Sequence, residues 1–178
     1  MLIVKKYQIF EKTIILRYPR LSDSKDLMNL INSLVKERSD IAKITQVTLR
    51  KEREWLGESL QSIRKKCKIL IVAELEGKIV GSCEISRDKY EVSQHVGTLG
   101  IAITREARGI GIGTTLIKST IKEANKIGIK LVKLYVFDSN KRARELYERI
   151  GFVAVGVVPK GVYHNKKYKD DVMMIKRS

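Results

Sequence analysis

Three glycines stand close together in the segment REARGIGIGTT, between a run of small apolar residues and a helical pattern. Gly109, Gly111 and Gly113 need a physical reason, because glycine loses more backbone entropy on folding than any other residue. A strand, a glycine loop and a helix in this order direct free backbone N–H groups and the positive end of a helix dipole at one point. Such a point binds anions, most commonly phosphate. The segment therefore predicts a phosphate-binding loop.

The loop fits neither of two familiar nucleotide-binding motifs. A P-loop requires GxxxxGK[ST], and here Thr114 follows Gly113 with no lysine before it. A dinucleotide fingerprint requires a third glycine at position 114 and an acidic residue about twenty positions later, where this chain reads KLVKL. The pattern [RQ]xxGx[GA] is met, by Arg108, Gly111 and Gly113. A plain glycine-rich turn between a strand and a helix is the structural alternative.

A second group of polar residues lies in the segment LYVFDSNKRARELYERIGF. Asn140 stands directly before a helical pattern and could cap that helix through its side chain. Tyr147 falls on the apolar stripe of the same helix and could simply pack in the core. Type and spacing alone leave a structural and a chemical role open for both residues.

Hydrophobic patterns divide the chain into strands and helices that must position these groups. Predicted strands are Thr13–Pro19, Ile69–Leu75, Ile79–Ser86, Val96–Ile103, Leu131–Phe137 and two C-terminal segments, FVAVGVV and DDVMMIK. Predicted helices are SDSKDLMNLINSLVKER, a segment around Leu49–Lys65, a segment from about Gly111 to Ile127, and the segment that begins at NKRAR. No repeat or linker interrupts the order, which indicates one α/β domain on a mixed sheet.

Length and composition limit the class of protein. A chain of 178 residues with 43% hydrophobic residues suits one globular domain. No apolar stretch approaches membrane length and the N-terminus does not resemble a signal peptide, so we expect a soluble cytoplasmic protein with no membrane partner. The cysteines, Cys67 and Cys83, and the histidines, His95 and His164, are isolated, so neither a disulfide framework nor a metal site is expected.

The formal charge of +16, from 36 basic and 20 acidic residues, is the strongest compositional signal. Such an excess attracts polyanions, including nucleic acid and phosphorylated cofactors. The basic residues are spread along the chain, so a lysine-rich solubilising surface explains the charge equally well. No basic motif is interleaved with aromatic residues, and nucleic acid is therefore not an expected partner.

The glycine loop, the segment ending LYERIGF, and the C-terminal YKDDVMM together resemble the GNAT N-acetyltransferase superfamily. The likeness covers nearly all of residues 13 to 176. It implies one GNAT domain over residues 1–178, with its core at about 13–176. That fold is α/β (α+β), with a mixed, mostly antiparallel central sheet, helices on both faces and a splayed pair of strands.

The resemblance implies acetyl-CoA as co-substrate and assigns roles to particular residues. The pantetheine arm would lie along the strand before the glycine loop, and the backbone N–H of Ile103 would meet the thioester carbonyl. Tyr147 would be the catalytic residue that protonates the CoA sulfur. The implied cofactor-binding residues are Ile101, Ala102, Ile103, Arg108, Gly109, Ile110, Gly111, Ile112, Gly113, Thr114 and Asn140. Lys118 is a second charged candidate near the expected phosphates, but we interpret it as a solvated helix residue.

The general base stays open, with Glu84, His95 and an ordered water chain as candidates. Several family members carry a glutamate five positions before the matching Asn, where this chain has Tyr135. This departure argues against a protein-acetylating mechanism.

We therefore expect N-acetylation of a small-molecule amine, such as an amino acid or related metabolite, with the acceptor pocket in residues 22–65. The alternatives are acetylation of a protein N-terminus or lysine, and a non-enzymatic module that binds CoA or nucleic acid. Because GNAT proteins are often dimers, a homodimer is one option for the assembly.

Overall fold

The computed structural model describes residues 2–9 and 11–177, which form eight strands and four helices. The strands are β1 (Ile3–Ile9), β2 (Lys12–Arg17), β3 (Lys68–Leu75), β4 (Lys78–Arg87), β5 (Val96–Ile103), β6 (Leu131–Phe137), β7 (Val153–His164) and β8 (Lys167–Arg177). The helices are α1 (Ser24–Lys36), α2 (Leu49–Arg64), α3 (Ile112–Lys126) and α4 (Lys141–Ile150). The ends of the predicted domain, residues 1 and 178, lie outside the described residues.

All eight strands belong to one sheet, in the order β1-β2-β3-β4-β5-β6-β8-β7. Neighbouring strands are antiparallel except β5 and β6, which are parallel. This arrangement confirms the predicted mixed, mostly antiparallel sheet. None of the helices within the described ranges has both the length and the apolar character that crossing a membrane requires.

Strand β3 shows why helices cover both faces of the sheet. Successive side chains of a strand point to opposite faces. Ile69, Ile71 and Ala73 belong to the apolar cluster that includes α3, whereas Leu70 and Val72 belong to the cluster that includes α1 and α2. A strand buried on both sides reads as a continuous apolar run, as this one does. Helices on both faces are thus confirmed.

Strands β5 and β6 separate partway along their length. Their pairing covers Val96–Thr98 on β5 and Leu131–Lys133 on β6. Beyond Thr98, β5 continues against β4 up to Ile103, and β6 continues against β8 up to Phe137. Within the described chain, β5 therefore has a free edge over its last five residues, and the predicted splayed pair of strands is confirmed.

The structure adds to the predicted elements at both ends of the chain. Strand β1 was not predicted, because the lysines at positions 5 and 6 interrupt the apolar alternation of an outer strand that pairs only with β2 in the described sheet. At the other end, β7 and β8 are longer than predicted and form one hairpin. Its two turn residues, Asn165 and Lys166, both have positive φ, as a tight hairpin turn requires.

Candidate active site

A cavity of about 510 Å³, called here the first cavity, opens at the free edge of β5. Its walls are the end of β5, the glycine loop, one side of α4 and the segment that follows α1. The predicted site residues that line it are Ile101, Ala102, Ile103, Arg108, Gly109, Gly111, Gly113, Thr114, Asn140 and Tyr147. Residues from three separate parts of the sequence, 34–41, 101–114 and 140–149, therefore meet around one space.

Two of the predicted cofactor-binding residues, Ile110 and Ile112, do not line the first cavity. The side chain of Ile112 is fully buried in the core beneath α3, and that of Ile110 packs against the same core. The apolar side chains of the loop thus anchor it to the protein. Only their backbone groups remain as candidates for contact with a ligand.

The glycine loop holds a backbone shape that favours glycine. Gly109 and Gly111 have φ angles of 84° and 87°, in the left-handed region that side chains with a Cβ rarely adopt. Gly111 is also the N-cap of α3, and it supplies no side chain to accept from the first-turn N–H groups. Position 113 favours glycine for a different reason, because a Cβ there would lie 3.0 Å from Cδ1 of Ile103. The absent side chain lets α3 approach β5.

Backbone polar groups of Ile103 point toward the first cavity. The N–H of Thr104 donates to Val80 O on β4, and in a strand the N–H and C=O of the preceding residue point to the opposite edge. The C=O of Ile103 is accordingly free of β4 and accepts from Nε of Arg108 at 3.0 Å. The N–H of Ile103 faces the same free edge. It is therefore a donor available to a ligand.

Arginine side chains provide the positive charge around the first cavity. Arg108 also donates through Nη2 to Oε2 of Glu37 at 2.9 Å, so its guanidinium joins the end of β5 to the end of α1. Arg142 reaches the glycine loop, since a Cβ on Gly109 would lie 3.3 Å from its Nη2. Lys118 is exposed and does not line the cavity, in agreement with the predicted solvated position.

Sequence reasoning missed Arg142 and Arg149, which both line the first cavity. They are seven positions apart on α4, so they project from the same side of the helix. That spacing is visible in the sequence. The sequence does not tell which way this side of α4 faces, and only the fold shows that it faces the glycine loop.

Asn140 and Tyr147 each combine a structural position with a place in the cavity wall. Oδ1 of Asn140 accepts from the N–H of Ala143 at 3.2 Å and so caps α4. Tyr147 is 7% exposed, and its ring meets the edge of Phe152 at a centroid distance of 5.9 Å. Burial raises the pKa of the Tyr147 phenol, with a smaller contribution from Cys83. The phenol therefore stays protonated, and a hydrogen-bond donor, at physiological pH.

A second cavity, of about 320 Å³, meets the first at Ile41, Ile101 and Ala102. It lies on the other side of β5, beneath α1, α2 and the segment between them. Its lining residues are Leu27, Ile31, Ile41, Ala42, Lys43, Val47, Lys51, Glu52, Trp55, Leu70, Ser82, Glu84, Gly100, Ile101 and Ala102. Most of these residues fall in the region 22–65, where an acceptor pocket was predicted.

The candidates for a general base are now separated by position. Glu84 lines the second cavity, pairs with Nζ of Lys68 at 2.8 Å and lies opposite Gly100 on β5. His95 is exposed just before β5, at the end where β5 still pairs with β6, and it lines neither cavity. Tyr135, at the position of the family's glutamate, is 48% exposed and also lines neither cavity. Glu84 is the candidate beside the expected thioester.

A buried carboxylate on α2, Glu52, also lines the second cavity and was not singled out from the sequence. The sequence feature that could have identified Glu52 is its spacing. Glu52 precedes Leu56 by about one helical turn and so lies on the apolar face of α2. In the described part of the chain, His, Cys, Asp and Glu form no group of three or more that could hold a metal ion.

Known proteins share both the sequence pattern and the fold. The model of the Acetyltransferase (GNAT) family matches residues 31–152. The uncharacterized N-acetyltransferase MJ1207 of Methanocaldococcus jannaschii is 33% identical over 112 residues, covering 61% of this chain and 50% of that protein. The L-amino acid N-acetyltransferase AaaT of Escherichia coli is 27% identical over 105 residues, covering 58% of this chain and 65% of AaaT. These matches span between half and two thirds of the relatives' own lengths.

Solved structures match over almost the whole chain. The crystal structure of a ribosomal-protein-alanine N-acetyltransferase from Brucella melitensis superposes with a TM-score of 0.83 at 25% identity. The match covers 92% of this chain and 99% of that one. The family match spans more than half of the sequence and includes the glycine loop, α4 and the free edge of β5. The chain therefore belongs to the Acetyltransferase (GNAT) family.

Proposed function

We propose that this protein transfers the acetyl group of acetyl-CoA to the primary amine of a small molecule, such as an amino acid or a related metabolite. One observation carries the proposal: the first turn of α3 and the free edge of β5 open on the same cavity. The N–H groups of the first turn of α3 can bind a diphosphate. The free edge of β5 can form hydrogen bonds with the amides of a pantetheine arm. The name of AaaT, an L-amino acid N-acetyltransferase, supports a small acceptor.

In the proposed cofactor site, each part of acetyl-CoA is bound by protein groups of complementary chemistry. Backbone N–H groups of residues 109–114, including those of Ile110 and Ile112, bind the diphosphate, and Arg108 and Arg142 add positive charge beside it. The edge of Ile101, Ala102 and Ile103 pairs with the pantetheine amides. Asn140 keeps its capping bond through Oδ1 and offers its Nδ2 to the same arm.

The proposed reaction joins the two cavities at β5. The neutral amine attacks the thioester carbon, a C–N bond forms and the C–S bond breaks. The carbonyl oxygen, as it gains negative charge, accepts from the N–H of Ile103. Glu84, or a water beside it, takes the proton that the amine loses. Tyr147 donates to the departing sulfur, because burial keeps its phenol protonated.

A substitution in the glycine loop tests the cofactor site. Gly111→Glu places bulk and negative charge where the diphosphate belongs, and we expect it to abolish acetyl-CoA binding measured by calorimetry. A Cβ at Gly111 meets no atom within 4 Å, so the structural cost of the new side chain is the strain of the positive φ of 87°. Gly77→Glu is the matched control: Gly77 has a similar φ of 78° and the same open surroundings, in the turn between β3 and β4. Retained binding in the Gly111 variant would place the cofactor elsewhere.

Acetylation of a protein N-terminus or lysine is the second candidate, supported by the fold shared with the Brucella melitensis enzyme. CoA release measured across a panel of small amines and a panel of peptides decides between them.

The unpaired thiols of Cys67 and Cys83 fit a reducing cytoplasm as the place of action. We propose neither nucleic acid nor a membrane as a partner, and a homodimer stays one option for the assembly.

A further inference from the structure

Glu52 is a buried carboxylate that faces the second cavity. It is 6% exposed, and within residues 2–9 and 11–177 its side chain makes no hydrogen bond or ion pair. Burial raises its pKa, the nearby Lys43 opposes that rise, and Glu84 adds to it. A buried carboxylate with no protein partner is costly unless water or a ligand satisfies it, and the second cavity is the space from which either would reach Glu52.

The surroundings of Glu52 indicate what that partner is. Glu84, the other carboxylate of the second cavity, is already paired with Lys68 at 2.8 Å, whereas Glu52 is not. Lys43 and Lys51 also line the cavity, but both are exposed and belong to its rim. The interior is thus negative and incompletely neutralised. A cation is the complementary ligand.

The walls of the second cavity set the size and the character of the rest of the ligand. Trp55, Ile31 and Val47 contribute an aromatic ring and branched aliphatic groups. A volume of about 320 Å³ lies near the lower end for cavities that hold small molecules. One compact apolar group fits beside these walls.

We propose that Glu52 binds the ammonium group of the acceptor, so that the second cavity selects amines that arrive as cations attached to a compact apolar group. This inference rests on the proposed function, because it names the acceptor class of the same reaction. It assigns Glu52 a role in specificity that is separate from the base role proposed for Glu84. Gly100 and Ile101 line the same cavity as Glu52, so an acceptor held by Glu52 shares the cavity with the strand edge where the thioester is expected.

Two probes of nearly equal shape test the charge requirement. Phenethylamine is a cation and 2-phenylethanol is its neutral counterpart, and each is titrated by calorimetry onto the protein with and without CoA. We expect the cation to bind at least about tenfold more tightly, the range for a hydrogen bond to a charged group. Glu52→Gln should remove most of this preference at nearly unchanged volume. Glu58→Gln, on the exposed side of the same helix, should keep it.

Proton release gives a readout that a purely structural residue would not produce. An ammonium beside Glu52 lowers the pKa of that carboxyl, so binding releases protons at pH values near its raised pKa. The binding enthalpy of phenethylamine should then depend on the ionisation enthalpy of the buffer, and affinity should fall as the pH is lowered through that pKa. Glu84, Lys43 and Lys51 also face the site, so Glu52→Gln is compared in the same buffers and should lose the effect.

The outcomes separate this inference from the proposed function. Equal or undetectable binding of the two probes by the wild-type protein overturns the role of Glu52, as does an unchanged preference in Glu52→Gln. Failure of CoA to bind counts against the proposed function instead. In that case the titrations on the protein without CoA still decide whether Glu52 holds an ammonium group.

Discussion

Tyr147 belongs both to the core and to the wall of the proposed active site. Its ring packs against Phe152 and its helix presents it to the first cavity. A phenol in this position stays protonated because burial disfavours the phenolate. Burial therefore keeps the proton on the phenol, as the proposed donation to the departing sulfur requires, while it also makes the phenol a weaker acid.

Replacing Tyr147 by phenylalanine removes the donor and keeps the ring. We expect kcat to fall by about 100-fold, the lower range for loss of a general acid, with little change in the affinity for acetyl-CoA. Steady-state kinetics and calorimetry measure the two quantities. Tyr135→Phe, on an exposed position of β6, is the control and should leave both unchanged. An unchanged kcat in the Tyr147 variant would show that this residue only packs in the core and does not act in the reaction.

At the scale of single residues, the sequence predicted the positions whose type is itself unusual. Gly109 and Gly111 stand out because their backbone shape favours glycine. Arg142 and Glu52 did not stand out, because basic and acidic residues are common on helices. What distinguishes them is the direction of a helix face, and only tertiary packing turns Arg142 toward the glycine loop and Glu52 into a cavity.

At the scale of elements, a buried ion-pair network fixes the start of α1 against the sheet. Arg17 on β2 donates to Asp23 at 2.7 and 3.0 Å and to Glu74 on β3 at 2.7 Å. Burial opposes ionisation of Asp23, but hydrogen bonds from Arg17 and the N–H of Arg20 outweigh it and lower its pKa. The network thereby orients the helix whose C-terminal end supplies Glu37 to Arg108.

Breaking this network should destabilise the protein. Asp23→Asn removes one partner of a buried pair, and we expect a loss of about 3 kcal/mol in the free energy of unfolding at neutral pH. Since the pKa of Asp23 is lowered on folding, its contribution is present above the unfolded value of 3.8 and is lost as the pH falls through the folded value. The difference between wild type and variant should therefore shrink below about pH 4.

Chemical denaturation at several pH values measures this difference. Glu76→Gln is the control, because it disrupts an ion pair with Lys12 that is exposed on both sides, and such pairs contribute little. Equal stability of the Asp23 variant and the wild type at neutral pH would show that the network does not hold α1 in place.

The elements that the sequence predicted are those with strong periodic patterns. Strand β6 and helix α2 were predicted nearly to the residue, because apolar residues recur at strand spacing in β6 and at helical spacing in α2, at Trp55, Leu56, Leu60 and Ile63. Strand β1 and the outer half of the β7–β8 hairpin carry many lysines and gain their order from pairing with a neighbour. Pairing is a long-range property, and a local pattern does not contain it.

At the scale of the whole molecule, the charge of +16 acts on folding and on cofactor binding in opposite directions. Like charges spread over the surface repel one another and destabilise the compact state. The same field attracts a polyanionic cofactor, and Arg108, Arg142 and Arg149, which line the first cavity, would focus that attraction at the proposed cofactor site. Screening by salt should therefore reduce the repulsion that destabilises the fold and also weaken the attraction of the cofactor.

Raising the ionic strength from about 0.01 M to about 0.15 M shortens the screening length from roughly 30 Å to roughly 8 Å. We expect the melting temperature to rise by a few degrees while the affinity for acetyl-CoA falls by about tenfold. Scanning calorimetry and isothermal titration measure the two changes on one preparation. Pantetheine, which lacks the phosphates, is the matched ligand, and its affinity should stay nearly constant. If acetyl-CoA and pantetheine respond alike, the positive charge serves solubility and does not help to bind the cofactor.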